Sequence, residues 1–283
     1  MPIILEHVSY TYQPGTPFAV PALCDVSLTI KTGQFVGLIG HTGSGKSTLI
    51  QHCNGLLFPD TGTVSVDGVS IAPKSKDLKG IRSKVGLVFQ YPEQQLFEET
   101  VAQDVAFGPR ALDLPENEIH RRVRWAMKMV DLDYEKFKDA SPFGLSGGEK
   151  RRAAIAGVLA MQPKYLFLDE PCAGLDPRGK SEILGHLQRL NEQGLAIVLV
   201  SHSMDDVARL AKRLVVIHEG SIIYDDDVKQ VFGKASELAD IGLDVPEVMK
   251  LMILLSDRGL PVHRDALTID EGQEEILRVM PHA

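Results

Sequence analysis

Eight consecutive residues, Gly40-His41-Thr42-Gly43-Ser44-Gly45-Lys46-Ser47, restrict this chain to few folds. They spell G-x-x-x-x-G-K-S. Before them, residues 34–39 read as a buried strand, and from Thr48 to Asn54 the chain reads as the start of a helix. The glycines let the backbone curl until several N–H groups face one anion, and the helix that follows adds its positive end. Lys46 can reach the outer phosphates of a bound nucleotide, and Ser47 can hold a Mg²⁺ ion. A glycine-rich turn without a ligand is the plain alternative. At ordinary residue frequencies a chain of 283 residues shows the pattern by accident roughly one time in a hundred.

The surrounding chain alternates strands and helices. Apolar residues alternate with polar ones at Ile3, Leu5 and Val8 and again at Val26, Leu28 and Ile30, with a turn cluster at residues 13–17 between them, which predicts an antiparallel hairpin. Residues 63–71 form another β segment around an Asp67-Gly68 turn. Residues 84–90 read as a strand entering the core, and from about 100 to 161 the pattern turns helical, with Ile119, Val123, Ala126, Met127 and Val130 on one helix face. The short apolar runs 165–168 and 196–200 have the character of buried parallel strands. A last hairpin turns at Glu219-Gly220. The fold class is α/β with a helical insertion at about 90–160.

Beyond about residue 230 the pattern changes. Residues 246–255 predict a helix that is apolar nearly all round, either docked on its own domain or serving as a subunit contact. Glu271, Glu274 and Glu275 make the last segment acidic and are expected to form a solvated face.

Bulk properties narrow the function. The net charge of −8 argues against a nucleic-acid binder, which would carry a basic face. Cys24, Cys53 and Cys172 are scattered and odd in number, so a reducing compartment is expected rather than a disulfide framework. No apolar run approaches the roughly 20 residues that span a bilayer, and the first residues lack the pattern of a secretory leader. The chain is expected to be soluble, with any membrane contact made through a partner.

Two further motifs carry chemistry. Tyr165-Leu166-Phe167-Leu168-Asp169-Glu170 is a buried strand ending in two carboxylates. Ligands of open parallel sheets sit beyond the carboxyl ends of the strands, where the phosphate loop also opens. Asp169 suits the Mg²⁺ shell, and Glu170 can orient or deprotonate water. Leu145-Ser146-Gly147-Gly148-Glu149 opens a helix that runs to about Met161. Ser146, the amides of Gly147 and Gly148 and the helix dipole form a second anion site, unless Ser146 is an ordinary N-cap. About fourteen helical residues span about 21 Å. That length places Ser146 far from its own Lys46, and a second chain facing head to tail can bring its serine to this nucleotide.

Phosphate loop, Gln90, Leu-Ser-Gly-Gly, Asp169-Glu170, Gly174-Leu175-Asp176 and His202 occur in that order. Over about residues 3–230 the chain resembles the nucleotide-binding domain of an ABC transporter. The resemblance implies a P-loop NTPase core of the RecA-like kind with an antiparallel β subdomain and a helical subdomain (residues 1–230), followed by a small C-terminal helical extension (231–283) that is a possible dimer contact. It implies ATP and Mg²⁺ as ligands. ATP is expected on Gly40, His41, Thr42, Gly43, Ser44, Gly45, Lys46, Ser47 and Thr48. Gln90 resembles the glutamine that senses Mg²⁺ and the γ-phosphate, so Ser47, Gln90 and Asp169 form the expected metal set. Asp176 resembles an aspartate that crosses the dimer interface, and His202 the histidine that contacts the γ-phosphate. Tyr12 resembles the aromatic that stacks on adenine, with Tyr10 and Phe18 as rivals. The implied catalytic set is Glu170, His202, Gln90 and Lys46.

Two positions depart from the family. Glu149 stands where Gln is usual, and its carboxylate should weaken triphosphate binding unless it faces solvent or pairs with Arg151 or Arg152. Cys172 stands where a hydroxyl residue is usual. The stretch from Phe89-Gln90-Tyr91-Pro92 to Thr100-Val101 resembles energy-coupling factor (ECF) transporter ATPases, which power uptake of vitamins and metal ions. That likeness implies a second, non-identical ATPase subunit in a head-to-tail dimer, a transmembrane coupling subunit, a substrate-binding membrane subunit, no nucleic acid, and a peripheral location on the cytoplasmic face of the cell membrane. Glu93, Glu98 and Glu99 are expected to present a negative groove to arginines of the coupling helices, if they are not simply a solvated acidic loop. The ATPase of a conventional ABC importer, a cobalt or nickel ECF system, and a non-transport ABC protein acting on nucleic acid remain alternatives.

Overall fold

The computed structural model describes residues 1–73 and 77–280. The chain opens with β1 (Ile3–Tyr12), β2 (Val20–Ile30), β3 (Phe35–Ile39), α1 (Lys46–Cys53), β4 (Thr61–Val66), β5 (Val69–Ser70), α2 (Leu78–Lys84) and β6 (Val85–Val88). The helical insertion follows as α3 (Val101–Ala111), α4 (Glu116–Met129), α5 (Tyr134–Phe137) and α6 (Gly147–Leu159). Then come β7 (Tyr165–Asp169), α7 (Pro177–Glu192), β8 (Ala196–Val200), α8 (Met204–Leu210), β9 (Arg213–His218) and β10 (Ser221–Asp227). Four helices close the chain: α9 (Val228–Phe232), α10 (Ala235–Asp240), α11 (Glu247–Asp257) and α12 (Ile269–Val279).

The predicted hairpins form. β1 pairs antiparallel with both β2 and β4 in a four-stranded sheet of order β2-β1-β4-β5. The β4–β5 turn works because Asp67 and Gly68 both take left-handed backbone angles, as a tight two-residue hairpin demands. The larger sheet has the order β10-β9-β3-β8-β7-β6, parallel except for the β9–β10 hairpin at its edge.

Strand periodicity sorts the core into two sides. Val36, Leu38, Tyr165, Phe167, Val198 and Val200 face the antiparallel sheet and α1, where they meet Leu5, Val26, Leu49 and Ile50. Their neighbours Phe35, Ile39, Leu166, Leu168, Ile197 and Leu199 face the helices of the insertion, α7 and α8. Every residue of β3, β6, β7 and β8 is buried, which explains why these strands read as continuous apolar runs.

The apolar tail helix docks in part on its own domain. Met249 of α11 joins the main core, while Met252 anchors a satellite cluster with Val262 and Ala266. Leu251 and Leu254 stay exposed, as do Ile269 and Leu277 of α12. The acidic face expected on α12 is partly tied down. Glu271 accepts the Leu267 N–H and lies 3.6 Å from Lys229, and Glu275 holds Arg278 and the His263 N–H. Among the described residues no helix is long and apolar enough to cross a membrane.

Candidate nucleotide site

The site is built by the sheet. Leu38 of β3 and Asp169 of β7 both stand beside Val200 of β8, and Val88 of β6 stands beside Leu168. The chain therefore leaves β3 for the phosphate loop, β8 for His202, β7 for Glu170 and β6 for Gln90, all at one edge. Gly43 and Gly45 have φ of 81° and 107°, the region that a side chain disfavours. At Gly45 an added Cβ would also lie 2.4 Å from the Ala22 carbonyl, so the loop closes only on glycine. The β9–β10 hairpin braces it: the Gly220 N–H donates to the Ser44 carbonyl at 3.0 Å.

Lys46, buried at the start of α1, donates to the carbonyls of Gly40 and His41, each at 2.7 Å. Burial pulls its pKa down, and the charges of Asp169 and Glu170 oppose that shift. The Ser47 hydroxyl donates to Asp169 Oδ2 at 2.6 Å, bringing two predicted metal ligands together. Glu170 has its carboxyl raised to about 7, by burial first and by the Asp169 charge second. Its Oε1 is buried without a hydrogen-bond partner, so the site contains a polar atom that a ligand or water can satisfy; the Ser44 hydroxyl is also unpartnered but lies behind the loop. His202 Nε2 lies 3.6 Å from Glu170 Oε1, and burial and then the Lys46 charge lower the imidazole pKa.

Lys46, Ser47, Asp169, Glu170 and His202 line one cavity of about 370 Å³ together with Tyr12, Thr42, Gly43, Gly45, Thr48 and Gln90, whereas Gly40, His41 and Ser44 of the predicted set do not line it. Tyr12 is the aromatic at the site. Its hydroxyl is 3.1 Å from Thr48 Oγ1, and Tyr10 meets its ring edge to face at 4.9 Å. Tyr10 is committed on another side to His52, and Phe18 is exposed outside the cavity.

Ser146, Gly147, Gly148 and Asp176 do not line this cavity. Asp176 is the N-cap of α7 and accepts the Gly179 N–H at 2.7 Å. Ser146 caps α6. Glu149 neither faces solvent freely nor bonds to Arg151 or Arg152, the two outcomes foreseen for it. Its Oε2 instead accepts from the Ser146 N–H at 2.9 Å and from the Ser146 hydroxyl at 2.7 Å, a capping box. That bonding holds the carboxyl below its usual range. Cys172 is half-buried, and burial pushes its thiol up to about 12, with Asp206 adding to the shift.

Of the three carboxylates expected to line an acidic groove beside Gln90, Glu93 is engaged by Arg151, while Glu98 is half-buried and Glu99 exposed. The role of Arg151 was not foreseen. Arg151 is 3% exposed, and its guanidinium grips both Glu93 oxygens at 3.0 Å and also donates to the carbonyls of Pro171 and Ala173. It thereby ties α6, the loop after Gln90 and the loop after Glu170 to one another. Next to Glu93 lies a cavity of about 480 Å³ with apolar walls, among them Phe97 and Phe107. Those rings are 58% and 51% exposed and stack edge-on at 5.0 Å. Removing the buried arginine strands Glu93 and two carbonyls. Arg151→Ala should therefore destabilise the fold by about 3 kcal/mol in a denaturant melt; a loss below about 1 kcal/mol would contradict this role.

A glycine-rich loop between a buried parallel strand and a helix, facing carboxylates from the end of the next strand but one, defines a phosphate-loop nucleotide-binding cassette. The family model described as "ABC transporter" matches residues 23–173. The chain is 52% identical over 280 residues to the energy-coupling factor transporter ATP-binding protein EcfA2 of Clostridium tetani, covering 99% of this chain and 97% of that protein. It is 54% identical over 282 residues to EcfA2 of Clostridioides difficile, covering 99% and 98%. Among solved structures it resembles cbiO1 of Clostridium perfringens, part of the ABC transporter complex cbiONQ, at TM-score 0.74 and 39% identity over 89% of this chain and 98% of that one. A dimeric post-hydrolysis structure of the ATP-binding cassette MJ0796 with ADP and Pi aligns at TM-score 0.71 and 31% identity, covering 80% and 98%. The chain belongs to the energy-coupling factor transporter ATP-binding proteins of the ABC transporter family.

Proposed function

We propose that this chain hydrolyses ATP as one of two ATPase subunits of an energy-coupling factor importer and so drives uptake of vitamins or other micronutrients. The observation that carries the reading is the convergence of Lys46, Ser47, Gln90, Asp169, Glu170 and His202 on one cavity at the carboxyl edge of the sheet. The loop amides and Lys46 bind the phosphates, and Tyr12 takes the adenine. Ser47, Gln90 and Asp169 offer only oxygen donors and fit Mg²⁺, which would neutralise phosphate charge when bound. Glu170, with its unpartnered oxygen, orients water and receives its proton. His202 holds the γ-phosphate. Positioning and electrostatics do most of the work in phosphoryl transfer.

Ser146, Gly147, Gly148 and Asp176 lie outside the cavity because they serve a sister subunit's nucleotide. In a head-to-tail pair each chain closes its signature serine over the other's ATP. A non-identical partner ATPase is favoured by Glu149, which makes the site receiving this serine unlike the site in this chain. The apolar cavity at Phe97 and Phe107 receives the helix of the transmembrane coupling subunit, which places the chain at the cytoplasmic face of the membrane beside a substrate-binding membrane subunit. Residues 231–283 act as an appended unit whose exposed Leu251, Leu254 and Leu277 suit a contact with the other ATPase. Expression with neighbouring genes, followed by affinity capture and mass spectrometry, is expected to recover a second ATPase and membrane subunits. Recovery of the ATPase alone would count against the reading as a whole, and Phe97→Glu with Phe107→Glu leaving assembly unaltered would count against the docking surface.

A further inference from the structure

Residues 241–247, between α10 and α11, touch two parts of the nucleotide site from outside it. At one end the His41 Nε2–H donates to the Ile241 carbonyl, and because a carbonyl only accepts, the bond fixes the proton on that ring nitrogen. Gly242 follows with φ of 67°, and an added Cβ there would sit 3.0 Å from the His41 ring. His41 belongs to the phosphate loop. Its own carbonyl accepts from Lys46 Nζ at 2.7 Å and from the Ser44 N–H at 3.1 Å. At the other end, Asp205 Oδ1 accepts the Glu247 N–H at 3.0 Å. Asp205 lies in the first turn of α8, three residues after His202. Pro246, the N-cap of α11, offers that helix no side-chain cap, so Asp205 supplies the missing acceptor from a different element. Between the two anchors Leu243 and Val245 are buried in the main core alongside Met204 and Val207.

We propose that residues 241–247 are a strap that sets the position of the phosphate loop relative to the switch histidine, with His41 and Asp205 as its positioning residues. The physical reason lies in Lys46. To meet a phosphate its ammonium must leave the Gly40 and His41 carbonyls, and the peptide carrying the His41 side chain then loses a charged partner. A loop free on that side would relax. A loop held through its histidine transmits the change to the strap, and the strap ends on the helix that begins two residues after the switch histidine. Loss of one such hydrogen bond, worth about 1 kcal/mol net, corresponds to about a fivefold change.

The strap rests on the nucleotide site proposed above, so ATP binding by the wild-type chain is measured first; its absence overturns that site and the strap with it. The test then uses the full chain assembled with its partner subunits. His41→Ala and Asp205→Ala are expected to lower kcat about fivefold while KM for ATP moves less than twofold. His41→Gln, which keeps a donor, and Asp205→Asn, which keeps an acceptor, are expected to restore most of the rate. Amide hydrogen exchange at 241–247 should change on adding MgATP to the wild type and not in either alanine variant. Gly242→Ala, which presses on the ring from the strap side, should lower kcat in the same way. Wild-type ATP binding with an unchanged kcat in Asp205→Ala, or identical exchange at 241–247 with and without nucleotide, overturns the strap alone. A loss in Asp205→Ala that Asp205→Asn does not repair also overturns it, because the acceptor would then not be what matters.

Discussion

Glu170→Gln should keep ATP bound and lose about 10²–10⁴-fold in turnover. The amide has nearly the same shape as the carboxyl at the end of β7, so the cavity is preserved. It cannot accept a proton from water, and it removes a negative charge that faces the triphosphate. Affinity is therefore expected to hold or rise. With hydrolysis blocked, two ATPase subunits that close over nucleotide have no route to reopen, so ATP should trap a closed pair visible by light scattering. The variant also carries a pH signature. The folded-state pKa of about 7 lies above the ordinary 4.5. A carboxyl raised in this way contributes stability that is fully present below the unfolded value and is lost as pH rises through about 7. The nucleotide-free wild type should thus lose more melting temperature than Glu170→Gln between pH 5 and 8. Wild-type ATPase activity in the variant would remove Glu170 from its role.

Lys46→Ala should lower nucleotide affinity by about 100-fold or more, read by calorimetry or a fluorescent ATP analogue. Lys46 is the only lysine or arginine lining the cavity among the described residues, so the triphosphate loses its one full positive side-chain charge. Two charge-assisted hydrogen bonds to phosphate at about 1.5–3 kcal/mol each make this the costliest single loss in the site. Stability should fall by no more than about 1–3 kcal/mol, because the buried Gly40 carbonyl loses its donor while the exposed His41 residue can turn to water. An unchanged dissociation constant would rule out the phosphate loop as the binding element.

Much of the site was legible because its motifs are local. The phosphate loop needs only its own glycines and the strand and helix on either side. The hairpin turns at Asp67-Gly68 and Glu219-Gly220 announced themselves by residues that accept positive φ. Buried parallel strands advertise themselves by continuous apolar runs, so Asp169 and Glu170 could be placed at a strand end without coordinates. What escaped notice depends on contacts between distant segments. Arg151 and Glu93 are 58 positions apart, and His41 and Ile241 are 200 apart, so nothing in either neighbourhood names the other. Glu149 is a different case. Ser-x-x-Glu at a helix start is a capping box, readable from four letters. The two competing outcomes, solvent or an arginine partner, follow from the carboxylate's charge alone, whereas its spacing from Ser146 satisfies it within the same helix start.

That small ring between Ser146 and Glu149 bears on how the two ATPase subunits of the proposed pair meet. A hydroxyl has a single hydrogen to give, and here it is already given to a carboxylate on the same helix. For Ser146 to greet a phosphate on the opposite chain, the bond must be exchanged in the encounter, and the glutamate must turn away or take up a proton as it lets go. In the head-to-tail pair proposed above, engagement on this side therefore begins with a release, and the partner's nucleotide is what would take up the freed hydroxyl.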